Sequence, residues 1–105
     1  ISVGLALSGK IPFVYSITPF LLWRPAETIR LYVGHENIGV KLVAAGRDDD
    51  YSKSDGFSHD AKDAEDFLSL FPNIKQLWPE DKSQIETLVE LMINDPSPYF
   101  ISLRR

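Results

Sequence analysis

Hydrophobic and polar positions along the chain switch repeatedly between a strand-like period and a helical one. Ile1 to Lys10 reads as the end of a helix: apolar Ile1, Leu5 and Leu7 recur, Gly9 supplies a left-handed stop, and Lys10 suits the negative terminus. Pro12-Phe13-Val14-Tyr15-Ser16-Ile17 is aromatic and β-branched behind a turn signal, which predicts a strand. Trp23-Arg24-Pro25-Ala26 predicts a helix start with Pro25 in its first turn, and Ala26, Ile29 and Val33 make the buried stripe. Gly34 to Gly39 ends that helix, and Val40-Lys41-Leu42-Val43-Ala44-Ala45 reads as a second, largely buried strand. The polar loop from Gly46 to His59 is long for a compact domain and is a functional candidate for that reason. Ala64, Phe67, Leu68 and Phe71 restore helical spacing until Pro72-Asn73, and Ile74-Lys75-Gln76-Leu77-Trp78 follows as a third strand. Asp81 with Gln84 forms a capping box ahead of a helix whose face is Ile85, Leu88, Val89 and Met92. A turn from Asn94 to Pro98 leads into the last strand, Tyr99-Phe100-Ile101-Ser102-Leu103.

Strands alternating with helices imply right-handed crossovers, hence an α/β domain with a mostly parallel sheet and helices on both faces. No repeat or linker divides residues 1–105, so one domain is expected. Its opening helix has no start of its own, which predicts a domain that is incomplete at the N-terminus. Ligands of such sheets sit beyond the carboxyl ends of the strands. That rule selects Ser16 to Arg24, Gly46 to His59, Trp78 to Asp81 and the final Arg104-Arg105 before any motif is consulted.

Composition narrows the chemistry. The 105 residues include no cysteine, which removes disulfide scaffolds, thiolate metal sites and thiol nucleophiles. Fifteen acidic against eleven basic residues give a net charge of −4, and no basic cluster is available for nucleic acid. Gly4, Gly9, Lys10, Pro12 and Pro19 interrupt the apolar N-terminal stretch and argue against a membrane span. No phosphate loop, dinucleotide fingerprint or esterase elbow occurs. Asp48-Asp49-Asp50 with Asp55-Gly56 fails as a calcium loop, because Tyr51 would take the first ligand position, and the aspartates read as a solvated acidic loop. Ser58-His59-Asp60 holds triad residue types, but sequence neighbours are not expected to orient one another. His35, near a helix C-terminus, reads as structural. His59 closes the long loop where the cleft is expected and is the candidate functional histidine, with a structural role as the alternative; Asp55 before Gly56 is a weaker candidate, since that pair also forms turns.

Ordered segments then carry a resemblance. Gly4-Leu5-Ala6-Leu7-Ser8-Gly9-Lys10-Ile11-Pro12-Phe13-Val14-Tyr15-Ser16, Pro19-Phe20 and Ile29-Arg30 resemble the central, pyrimidine-binding domain of transketolases. Ser54-Asp55-Gly56-Phe57-Ser58-His59 is similar to that family's Asp-Gly-Pro-Thr-His signature, and Leu70-Phe71-Pro72-Asn73-Ile74 to its Leu-Pro-Asn-Ile/Met segment. Trp78-Pro79-Glu80-Asp81 is similar to its Pro-Ala-Asp helix start, and Ile101-Ser102-Leu103-Arg104-Arg105 to a strand whose end carries an arginine. Deoxyxylulose-phosphate synthases share the Asp-Gly-x-Thr-His element, and the β subunits of 2-oxo acid dehydrogenases share the domain more distantly.

The resemblance implies a thiamine diphosphate enzyme, cytoplasmic, that transfers a two-carbon ketol unit from a ketose to an aldose. A partner domain or subunit would hold the diphosphate through magnesium or calcium, and no metal ligand is expected from this chain. Assembly would be a homodimer or heterotetramer acting on phosphorylated sugars, with neither nucleic acid nor membrane as partner. Phe20 matches an aromatic beside the pyrimidine, and Ile17 a cofactor-side position where transketolases often carry a second aromatic. His59 matches a catalytic histidine that also contacts substrate. Asp55 matches an aspartate that recognises a substrate hydroxyl. Arg105 matches the arginine for the sugar phosphate, with Arg104 as the alternative at that strand end. The family's glutamate for the pyrimidine nitrogen would lie upstream of Ile1. Phe57 replaces the usual proline, and Arg47 stands where some members have histidine. A deoxyxylulose-phosphate synthase, a 2-oxo acid dehydrogenase component, or an assembly module that kept only the fold are the competing readings.

Overall fold

Four short apolar runs pair into one parallel sheet because each is followed by a segment long enough to cross back over it. The computed structural model describes all residues from 1 to 105. Its strands are β1 (Phe13–Ile17), β2 (Lys41–Ala45), β3 (Lys75–Leu77) and β4 (Tyr99–Leu103), in the spatial order β1-β2-β4-β3. Every pairing is parallel, with Tyr15 opposite Val43, Val43 opposite Ile101 and Leu77 opposite Ile101.

That order fixes which helices lie on which face. The chain moves outward across the sheet from β1 to β2 to β3 and then returns to β4. With crossovers of one hand, the returning helix must lie on the opposite face from the outgoing ones. The outgoing elements are α2 (Thr18–Leu22), α3 (Ala26–Thr28) with its π-helical continuation Ile29–His35, and α4 (Ala64–Ser69). Their Leu21, Leu22, Ile29, Val33, Phe67 and Leu68 bury against Leu42, Ala44 and Phe100. On the other face α5 (Ile85–Asn94) lays Met92 on Tyr99 and Ile101, with Ile85, Leu88 and Val89 beside it.

Three sequence expectations need correction. The segment after β1 is already helical: ahead of α3, which starts at Ala26 as the Trp23-to-Ala26 signal predicts, α2 begins at Thr18. Pro19 in its first turn gives up no hydrogen bond there, and buried Thr18 donates its hydroxyl to the carbonyls of Ala45 and Gly46. In α1 (Ser2–Leu7) the face that meets the core is Val3 and Ala6, while Ile1, Leu5 and Leu7 point outward. The loop after β2 contains two single 3₁₀ turns, Lys53–Asp55 and Phe57–His59. The left-handed Gly9 (φ 86°) and the Asp81–Gln84 capping box stand as expected.

Candidate active site

The carboxyl ends of β1, β2 and β4 meet at one edge, and buried Arg47 braces the ends of β2 and β4. Its Nε donates to Ser102 Oγ (3.0 Å), Nη1 to Glu80 (2.9 Å), and Nη2 to the carbonyls of Ser102 (2.6 Å) and Pro79. This consumes Arg47 as a structural cation, with four hydrogen bonds taken up within the chain. In the sequence Arg47 stands out only as a departure from the family pattern, although a lone arginine directly after a buried strand is a signal for such a post.

Asp50 is the second tie, which corrects the reading of all three loop aspartates as solvated. One carboxylate oxygen accepts the backbone N–H of Arg47 (2.9 Å) and of Arg105 (3.2 Å), and the other faces Arg104 Nη1 (3.4 Å). Burial pushes the Asp50 carboxyl up, but the two N–H donors and the Arg104 charge outweigh it and hold it below the ordinary range. Asp48 and Asp49 remain exposed, with Asp49 paired to Lys62 at 2.8 Å. Arg104 is shared between Asp50 and Glu80, whereas the Arg105 side chain forms no ion pair with a carboxylate.

A row of rings runs from α2 to the end of β4. Arg24 lies over Phe20 (4.7 Å), Phe20 meets His59 in a T-shaped contact (5.1 Å), His59 meets Tyr51 (5.3 Å), and the Arg105 guanidinium lies over Tyr51 (4.7 Å). Phe20, His59 and Arg105, distant in sequence, thus stand in one array. Tyr51 completes it and is the site residue that sequence reasoning misses, because its position beside three aspartates suggests a solvated loop. Ser58 Oγ lies 3.0 Å from His59 Nδ1, but Asp60 accepts from the Lys62 N–H, so the three neighbours form no triad, as the sequence predicts. No hydrogen bond within the chain engages His59 Nε2.

Two expected residues stand apart. Asp55 Oδ2 turns back onto the N–H and hydroxyl of Ser52, closing a one-turn capping box, and Asp55 makes no hydrogen bond to His59. Ile17 ends β1 partly buried and lies outside the cleft lining. That cleft, of about 530 Å³, is bounded by Pro19, Phe20, Trp23, Arg24, Phe57 and Asp63, with Trp23 held by its indole N–H to Asp63 (3.1 Å). Phe20, Trp23 and the strongly exposed Phe57 give it aromatic surface, and Arg24, Ser58, Asp60 and Asp63 make the rest of its wall polar. Nowhere do three or more His, Asp or Glu side chains converge to hold a metal ion.

Known proteins share this arrangement of elements. The transketolase pyrimidine-binding domain model matches residues 1–105. An apulose-4-phosphate transketolase subunit of Actinobacillus succinogenes is 28% identical over 102 residues, covering 97% of this chain and 32% of that protein. The 6-deoxy-6-sulfo-D-fructose transketolase subunit SqwH of a Clostridium species is 27% identical over 106 residues, covering 100% of this chain and 32% of that one. A solved split-gene transketolase, an inactive tetramer of four β chains, superimposes with a TM-score of 0.85 at 28% identity, over 99% of this chain and 32% of that chain. The chain therefore spans about a third of the length of the relatives it matches. With the family model matched from end to end and the same fold in a solved relative, the chain belongs to the transketolase pyrimidine-binding domain family.

Proposed function

We propose that the chain supplies the pyrimidine side of a thiamine diphosphate site in a transketolase-like enzyme, which moves a two-carbon ketol unit between sugars that carry an anionic group. The observation that carries this reading is the Phe20–His59–Tyr51–Arg105 array at the carboxyl edge of the sheet. Relatives named for a 4-phosphate sugar and a 6-sulfo sugar support an anionic substrate. Their designation as subunits supports a partner that binds the diphosphate and its magnesium or calcium.

Thiamine diphosphate, when bound, supplies the chemistry for breaking and making the carbon–carbon bond. The chain's own residues orient and polarise. Phe20, Trp23 and Phe57 line the cleft for the aminopyrimidine. His59, held through Nδ1 by Ser58, has Nε2 available to take or give a proton at a sugar oxygen. Asp55 keeps Oδ1 free to accept a sugar hydroxyl, and Arg105 pairs with the anionic terminus. Arg104, paired twice with carboxylates, is set aside as the anion ligand.

The test is ketol transfer by the assembled enzyme, with and without thiamine diphosphate and magnesium, and with Phe20→Ala beside the parent. Cofactor-dependent transfer that needs a higher cofactor concentration in the variant supports the reading. An assembled, cofactor-supplied enzyme that moves no ketol unit from any phosphorylated or sulfo ketose overturns it in favour of an assembly module.

A further inference from the structure

Arg105 is a cation at the site without a carboxylate partner, and an unrestrained arginine on a strand end is a poor ligand because ordering its long side chain costs rotamer freedom. A contact that orders it before substrate arrives removes that cost. Tyr51 is in position to do so. Its ring is pressed against the backbone of Gly46, where a Cβ would run into ring atoms, and it carries the Arg105 guanidinium at 4.7 Å and the His59 ring at 5.3 Å. Gly46 has φ 88°, so the backbone that receives the ring is one only glycine adopts readily. Asp50, the residue before Tyr51, grips the Arg105 backbone N–H. Main chain and side chain of Arg105 are therefore fixed by two consecutive residues of one loop.

We propose that Asp50-Tyr51, seated on Gly46, is the positioning device that pre-orders the Arg105 guanidinium for an oxyanion terminus, a phosphate monoester or a sulfonate. The proposal rests on Arg105 as the anion ligand of the site read above. Tyr51 acts through Arg105 and is a positioning residue. An arginine pre-ordered on an aromatic face loses less freedom on pairing and keeps its forked donors aimed outward.

The test is titration of the protein with inorganic phosphate at constant ionic strength, with chloride as the control. It follows the residue 51 ring and the Arg105 guanidinium by NMR. Parent and Tyr51→Phe should show saturable shifts at both groups with similar affinity, since the phenylalanine ring preserves the platform. Tyr51→Leu should bind at least about tenfold more weakly, and its Arg105 guanidinium resonances should no longer saturate over the same phosphate range. Equal affinity in Tyr51→Leu and the parent, or no saturable shift in the parent, overturns the proposal. If Tyr51→Leu does not fold, Asp50→Asn decides: severalfold weaker binding supports the device, and unchanged binding refutes it. Phosphate binding with this dependence in an enzyme that transfers no ketol would count against the proposed reaction alone.

Discussion

Gly46 and His59 show how single atoms set this edge of the molecule. A Cβ at Gly46 would meet both a disfavoured backbone conformation and the Tyr51 ring. Gly46→Ala should therefore cost about 1–3 kcal/mol of stability in a denaturant melt. It should also remove the Tyr51–His59 ring contact, which an NMR spectrum would read as a change in the His59 ring resonances. His59→Ala should lower turnover of the assembled enzyme by about 10²-fold if Nε2 handles a proton, and leave the melting temperature nearly unchanged. Undiminished turnover would return His59 to a packing role. At this scale the sequence is partly legible. His59 and Phe20 stand out through spacing and resemblance, whereas Asp50 does not, because three adjacent aspartates give no sign of which one turns inward. Tyr51 is hidden for the same reason.

Elements are held by end effects as much as by their faces. Asp81 accepts the Ser83 N–H at 2.9 Å while Gln84 reaches back to the Asp81 N–H, and together they start α5. Asp81→Ala should cost about 1 kcal/mol in the same melt, with α5 amides losing exchange protection first. The opposite end of α5 is fastened by Asp95, which accepts from Lys75 (2.6 Å), Tyr99 (2.7 Å) and the Ser97 N–H (2.9 Å). Hydrogen bonding by Lys75, then by Ser97 and Tyr99, holds the Asp95 carboxyl well below its ordinary range. A depressed carboxyl contributes stability above its unfolded value of about 3.9, and that stability disappears as pH falls through the folded value. Acid melts should show the parent losing stability below about pH 4, and Asp95→Asn should have a flatter acid limb. An identical acid limb would remove Asp95 from this role. Buried Lys41 stands behind the same turn, its ammonium donating to the carbonyls of Asp95 and Ser97. The capping box and all four strands are readable, because each repeats a local pattern. The five-residue α2 is not, since it is too short for periodicity and its Thr-Pro start resembles a loop.

For the whole molecule, strand order decides where the site lies, and strand order has no local signature in the sequence. The return from β3 to β4 places the ends of β2 and β4 side by side, and Arg47 can then reach Ser102 and Glu80. One face is less completely covered. Phe13 and Tyr15 on edge strand β1 are exposed, and an apolar groove of about 260 Å³ runs from Phe13 and Val43 to Val89 of α5. Such a surface agrees with a domain that functions within a larger assembly. Because the diphosphate ligands are assigned to a partner, these 105 residues alone should bind thiamine diphosphate with magnesium only weakly in a calorimetric titration. Tight binding by the chain alone would contradict that division of the site. The central claim is most directly tested by one assay, ketol transfer from a phosphorylated or sulfo ketose to an aldose by the assembled enzyme supplied with thiamine diphosphate and magnesium. The account predicts product that depends on the cofactor and falls sharply in Arg105→Ala through a raised KM for the anionic sugar. No product from the assembled, cofactor-loaded enzyme, or product formation indifferent to Arg105, would contradict it.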